Sequence, residues 1–189
     1  NTVTFTYTES VVKVTCNDRT YEIFRKDSED AKLVVGIKDP LGRWTEFDYE
    51  ERALLFDFKI SAVPERENIH CLLKQITYPT GLKTHYQYIT ATKWLYEKED
   101  GYTEYAKILR RYETEGGYAI NDKSYGYYLE PDGYPTYKAD ELPDAYEYLA
   151  TETSADGSNI SYFYDKDHDQ TKTIITPGGK KRGEEIREY

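Results

Sequence analysis

Methionine is absent from all 189 residues, cysteine occurs only twice, and no apolar run approaches the roughly 18 residues that a membrane span requires. The chain opens Asn-Thr-Val-Thr-Phe-Thr-Tyr, already in strand alternation, without an initiator and without the charged-then-apolar stretch of a signal peptide. It is therefore expected to be a segment of a longer protein, with any export signal outside it. Two cysteines are too few for a disulfide-stapled miniprotein, and the absence of CxxC and Cys–His pairs leaves no sequence basis for zinc. Cys16 and Cys71 each end an apolar strand pattern and read as buried thiols, with one disulfide as the alternative in an oxidising compartment. Positive charge is also scarce. Lys and Arg number 25 against 35 Asp and Glu, giving a net charge of −10 and a pI near 4.9. That balance argues against nucleic acid, which needs a basic face, and against electrostatic anchoring to a membrane. The apolar share, 38%, lies below the usual globular share of about 45–50%. What compensates is aromatic: 15% of residues, with 21 tyrosines, which pack and so exclude a disordered composition.

The apolar period is two almost throughout. Val3, Phe5 and Tyr7 alternate with threonines, predicting a half-buried strand with one apolar and one hydroxyl face. The pattern recurs at Val12, Val14 and Cys16, at Leu33, Val35 and Ile37, at Phe56, Phe58 and Ile60, at Ile76 and Tyr78, and at Tyr86 and Tyr88. Turn signals separate these runs: Asp39-Pro-Leu-Gly42, Pro79-Thr-Gly81, Pro131-Asp-Gly133, Ala155-Asp-Gly157 and Pro177-Gly-Gly179. The expectation is an all-β fold, an antiparallel meander of repeated β-hairpins, arranged as a single array over residues 1–189. The stretch 139–149 has no clear alternation and could hold a short helix, which Pro143 keeps from being a long one.

Aligning the glycines shows a repeat. Gly42, Gly81 and Gly157 are each followed by a β-branched residue three positions on (Thr45, Thr84, Ile160). Aromatics follow five and seven positions after each glycine: Phe47 and Tyr49, Tyr86 and Tyr88, Tyr162 and Tyr164. A degenerate copy, Asp18-Arg-Thr-Tyr-Glu-Ile23, carries Asp in the turn, and Gly101 and Gly133 read as variant copies. The unit is a strand, a glycine turn and a return strand whose aromatics share one face. One hairpin is marginal alone, so successive copies must cover one another.

Asp-Pro-Leu-Gly-Arg followed by Thr-x-aromatic-x-Tyr, and Tyr162-Phe-Tyr-Asp165 after a glycine turn, resemble the RHS or YD (tyrosine-aspartate) repeat. That family includes bacterial RHS and wall-associated proteins, the shell component of insecticidal toxin complexes, and animal teneurins. The resemblance runs from about Val12 to Thr176 and is strongest at 34–49, 73–88 and 153–166. It implies a curved, spiralling β-sheet that in full-length members forms a hollow shell, sometimes ending in a self-cleaving core motif. The lone Asp39-Pro40-Leu41-Gly42 belongs to an ordinary repeat, and no core motif is visible. A secreted or cell-surface bacterial location follows from the resemblance, and so do further repeats of the parent chain as partners.

Candidate chemistry is sparse. Asp165, Asp167 and Asp169 alternate as the opening ligands of a calcium loop do, but Gln170 stands where glycine is needed and Thr176 where glutamate is. A solvated turn is the expectation, calcium the alternative, and no cofactor is expected. His70, His85 and His168 lack metal spacing, and His85, out of phase with Tyr86, reads as a surface imidazole. Trp44 and Trp94 are the candidates for stacking on sugar rings, Trp44 because it is out of phase with Phe47. Lys180-Lys-Arg182, followed by Glu184 and Glu185, reads as a frayed terminus. Asn159-Ile-Ser161 fits the glycosylation sequon, which matters only in a secretory host. The expected function is a non-catalytic structural repeat segment of a β-sheet shell or scaffold. The alternative is a module that binds carbohydrate or a cell-surface protein. An enzyme would need two carboxylates facing each other at about 5 or 6.5–9.5 Å, and nothing in the sequence selects a pair.

Overall fold

The computed structural model describes residues 2–28, 32–58, 66–94, 101–127, 149–164, 169–178 and 185–189. The segment 139–149, which could hold a short helix, lies outside the described residues apart from Leu149, as do the turn at Pro131-Asp-Gly133 and the basic run 180–182. Among the described residues there is no helix. Thirteen strands follow one another: β1 (Val3–Tyr7), β2 (Val11–Cys16), β3 (Arg19–Asp27), β4 (Lys32–Lys38), β5 (Trp44–Phe58), β6 (Arg66–Thr77), β7 (Lys83–Trp94), β8 (Gly101–Glu115), β9 (Tyr118–Tyr127), β10 (Leu149–Ser154), β11 (Asn159–Tyr164), β12 (Gln170–Thr176) and β13 (Glu185–Glu188). Their order in the sheet is their order in the chain, and the fold is the antiparallel hairpin meander the alternation predicts. One pairing is not sequential: the far end of β5 also meets β8, with Phe58 opposite Gly101. Gly101 thus opens a strand.

Contacts divide the chain into two compact units. One comprises Asn1–Ala53, Ile69–Tyr86 and Glu113–Ile120; the other comprises Leu54–Asn68, Gln87–Tyr112 and Asn121–Tyr189. In the first, the register lines up an apolar row, Tyr7–Val12–Ile23–Ile37–Thr45, across five strands. The opposite face carries Lys13, Glu22, Lys38 and Trp44 in one row. Glu22 bridges Lys13 at 2.7 Å and Lys38 at 3.8 Å, and the Lys13 hydrogen bond holds its carboxyl below the usual range. Burial is shallow. Among the described residues only Gly36, Leu54, Thr84 and Thr173 are buried, Thr84 completely. β1 departs from expectation: Val3, Phe5 and Tyr7 are all exposed, because among the described residues β1 pairs only with β2. Beyond the undescribed run 180–182, Glu185–Glu188 forms a strand on β12, with Ile186 opposite Ile174 and Glu188 opposite Lys172.

The turns follow backbone chemistry. Asn17 and Asp18, at φ +48° and +63°, make the two-residue turn between Cys16 and Arg19, and Gly116 and Gly117, both at positive φ, do the same between β8 and β9. Both turns match the twist of their flanking strands.

Thr84 sits at the β-branched repeat position with no exposure, and its hydroxyl has no hydrogen-bond partner. A buried, unmade hydrogen bond costs about 1–3 kcal/mol. Thr84→Val keeps the shape and removes that cost, so it should raise stability by about 1 kcal/mol. The corresponding residue in the third copy, Ile160, is already apolar. Chemical denaturation checks this, and a destabilised Thr84→Val would show that the hydroxyl is paired.

Candidate functional site

The three repeat glycines sit in one loop geometry. At Gly42, φ is +81°; its N–H donates to Asp39 O at 2.9 Å, and Asp39 N–H donates to Arg43 O at 3.0 Å. At Gly81, φ is +88°, and the same two bonds link Gly81 to Tyr78 and Tyr78 to Leu82, both at 2.9 Å. At Gly157, φ is +80°, and the bonds run from Gly157 to Ser154 and from Ser154 to Ser158, again at 2.9 Å. This is a type I turn closed by a left-handed residue, where glycine avoids the Cβ penalty.

Carboxylates brace two of the loops. Asp39 Oδ1 accepts from the N–H groups of Leu41 and Arg43 at 2.9 Å, and Oδ2 accepts from Arg43 Nε at 2.6 Å. Partial desolvation opposes the Asp39 charge, yet these hydrogen bonds outweigh it and hold the carboxyl below its ordinary range. Asp156 Oδ1 accepts from Ser158 Oγ at 2.7 Å and from Ser158 N at 2.9 Å, which also lowers its pKa. The acids of these turns thus act on their own backbone.

A second element recurs at fixed offsets. Seven residues before Gly42, Val35 forms a bulge, since Phe24 faces Gly36 and Arg25 faces Val34. Seven residues before Gly157, Ala150 does the same, since Tyr127 faces Leu149 and Gly126 faces Thr151. The carbonyl just before each bulge receives a phenol. Tyr49 Oη donates to Val34 O at 2.7 Å, and Tyr164 Oη donates to Leu149 O at 3.0 Å. In both copies the tyrosine is the one seven residues after the glycine. The β4–β5 pairs run from Lys38↔Trp44 to Gly36↔Glu46, so the phenol serves a carbonyl beyond that stretch. Burial pushes the Tyr49 phenol pKa up, which keeps the donor proton in place. Tyr88 and Leu73 occupy the same two offsets around Gly81. Sequence reasoning recognised the aromatic period but not the hydroxyl's role; the signal was tyrosine, never phenylalanine, at the second offset in all three copies. Tyr49→Phe should therefore cost about 1–2 kcal/mol, while Phe47→Tyr, at the first offset, should gain nothing comparable. Equal stability of Tyr49→Phe and wild type in urea would sink the phenol's role.

Trp44 lies across Gly36 and tilts against Phe24 at a centroid distance of 4.8 Å and 60°, leaving the residue 40% exposed. Trp94 closes β7, but its side chain lies outside the described residues, as do Asp165 and Asp167. Asp169 is exposed just ahead of β12. Among the described residues no three His, Cys, Asp or Glu side chains are grouped to hold a metal. Cys16 and Cys71 are free, half-buried thiols. His85 differs from the expected surface imidazole: it is half-buried, its Nε2 lies 2.9 Å from Thr114 Oγ1, and burial lowers its pKa.

In the second unit, Arg110 forks onto Asp122 at 2.8 and 2.5 Å, and Lys123 pairs with Glu152 at 2.5 Å. Arg110 holds the Asp122 carboxyl below its usual range. Open hollows lie at hairpin tips among the described residues. One, of about 380 Å³, is lined by Asp18, Arg19, Tyr21, Pro40 and Arg43, and another, of about 390 Å³, by Arg111, Asn121, Lys123, Ser154 and Asp156. Trp44 lines neither. No family model matches the chain, and no curated protein matches it.

Proposed function

We propose that this chain is a non-catalytic repeat segment of the YD/RHS kind, forming part of a β-sheet shell or scaffold in a secreted or cell-surface bacterial protein. The observation that carries the reading is the coincidence of three features at the same offsets around Gly42 and Gly157: the loop, the bulge and the phenol-to-carbonyl bond. A repeated cassette whose polar groups bind its own backbone suits a wall unit better than a catalyst. Shallow burial supports it as well, since a sheet made to continue needs little core of its own. The partners on this reading are further repeats of the parent chain.

A second reading, a module for carbohydrate or a cell-surface protein, rests on the part of the Trp44 ring left open to solvent. The deciding measurement is the intact mass and terminal sequence of the natural protein that contains this segment. Many further copies of the cassette are expected. A natural chain that ends close to Tyr189 would remove the wall reading. Glycan binding lost in Trp44→Ala, with the fold intact, would then favour the second.

A further inference from the structure

We propose that Trp44, Glu22 and Lys38 form a strip that binds a neutral glycan: one sugar ring stacks on the indole, and the next sets a hydroxyl between Glu22 and Lys38. This rests on the second reading above, whose site and ligand class it names. The pairs Glu22↔Lys38 and Lys38↔Trp44 put the three residues in one cross-strand row, so their side chains leave the same face of β3, β4 and β5. From its place opposite Lys38 the indole leans onto Gly36 and is held against Phe24. Its inner side is thereby filled, and the 40% of the residue that stays exposed is its outer side. Lys38 reaches the other way, past Gly42, into an open hollow of about 320 Å³ that it lines with Thr20, Glu22, Asp39 and Pro40. Gly36 and Lys38 are two strand residues apart, which separates ring and hollow by about 7 Å or more, and a short oligosaccharide covers both.

The polar pair selects a hydroxyl. Glu22 Oε1 lies 2.7 Å from Lys13 Nζ, whereas Oε2 stands 3.8 Å from Lys38 Nζ, beyond hydrogen-bond length. A hydroxyl suits such a pair because one oxygen donates to the carboxylate and accepts from the ammonium. The Lys13 hydrogen bond keeps Glu22 ionised, so the carboxylate acts as acceptor only. Charge selects the class of glycan. Within the hollow two carboxylates, Glu22 and Asp39, face one ammonium, Lys38, and the whole chain carries −10. That balance repels a uronate or phosphate polymer and leaves a neutral one. Sugars with equatorial hydroxyls offer a flat C–H face to the indole and a polar rim to the pair, the same division that the strip presents. The strip lies on a face of interior strands, so it does not depend on where the sheet ends.

Calorimetric titration of the whole chain with cellohexaose and chitohexaose, both neutral, tests this, with oligogalacturonate as the anionic comparison. Wild type should bind at least one neutral oligomer and not the anionic one. Trp44→Leu should abolish the binding. Lys38→Met and Glu22→Gln should each lower the association constant about tenfold, the loss of one hydrogen bond to a charged group. Tyr21→Ala, on the opposite face of β3, should bind as wild type does. Circular dichroism checks that the variants keep their strands; should Trp44→Leu fail to fold, Lys38→Met and Glu22→Gln carry the test on their own. Binding lost in Trp44→Leu but unaffected in Lys38→Met and Glu22→Gln overturns the site assigned here and leaves the binding-module reading standing. A wild type that binds neither neutral oligomer overturns the proposal and the carbohydrate reading together. Binding untouched by Trp44→Leu, equal binding of oligogalacturonate, or binding lost in Tyr21→Ala also overturns the proposal.

Discussion

Gly36→Ala should destabilise the protein by about 1–3 kcal/mol, the range for overpacking a filled site. For a chain of this size that lowers the melting temperature by roughly 2–10 °C. A Cβ at Gly36 would overlap the Trp44 ring, which lies directly on the backbone there. A lysine or glutamate could swing its far end aside, but an indole has only two side-chain torsions and is already set against Phe24. The ring must leave its seat. Trp44 emission should then shift to the red, best seen in a Trp94→Phe background. Unchanged melting and unchanged emission together would mean that the indole is not seated on Gly36.

Gly178→Ala should cost as much or more, about 3 kcal/mol, because the obstacle is main chain. Its Cβ would overlap the Asp156 carbonyl oxygen in the β10–β11 loop. That loop is pinned by the Gly157-to-Ser154 and Ser154-to-Ser158 bonds and by the Asp156 carboxylate, so it yields poorly. Urea unfolding should show the loss, and amide exchange at Ser154 and Gly157 should quicken. Gly81→Ala is the control. Nothing lies within 4 Å of its Cβ position, and only the positive φ is strained. The cost there is about 1–2 kcal/mol, with no change in exchange at the β10–β11 loop. If Gly178→Ala proved milder than Gly81→Ala, the packing of residue 178 on that loop would be wrong.

The legible part of this molecule is what period and glycine spacing control. Alternation gave the strands because a pleat places every second side chain on one face, as Thr45 and Phe47 show by being half-buried between exposed neighbours. What escaped prediction depends on neighbours distant in sequence. The exposure of Val3, Phe5 and Tyr7 depends on whether another strand lies beyond β1, and alternation carries no such information. The seat of Trp44 required knowing that a glycine in the preceding strand comes beneath it; phase alone marked the ring as outward. His85 looked solvent-facing until Thr114, on β8, came within reach of its ring. The bulges at Val35 and Ala150 left no mark of their own, since neither residue is unusual in a strand. The calcium alternative at Asp165, Asp167 and Asp169 falls mostly outside the described residues.

Sequential pairing has a kinetic consequence. Hairpins whose partners are chain neighbours need little loop closure, so this all-β chain should not carry the slow folding of interleaved β topologies. Each completed hairpin leaves an edge on which the next can zip, and the array can grow from its N-terminal end as residues become available. The contact between Phe58 and Gly101 is the exception. It closes a longer loop than any of the sequential pairings, which makes the β5–β8 junction the expected late step in assembly.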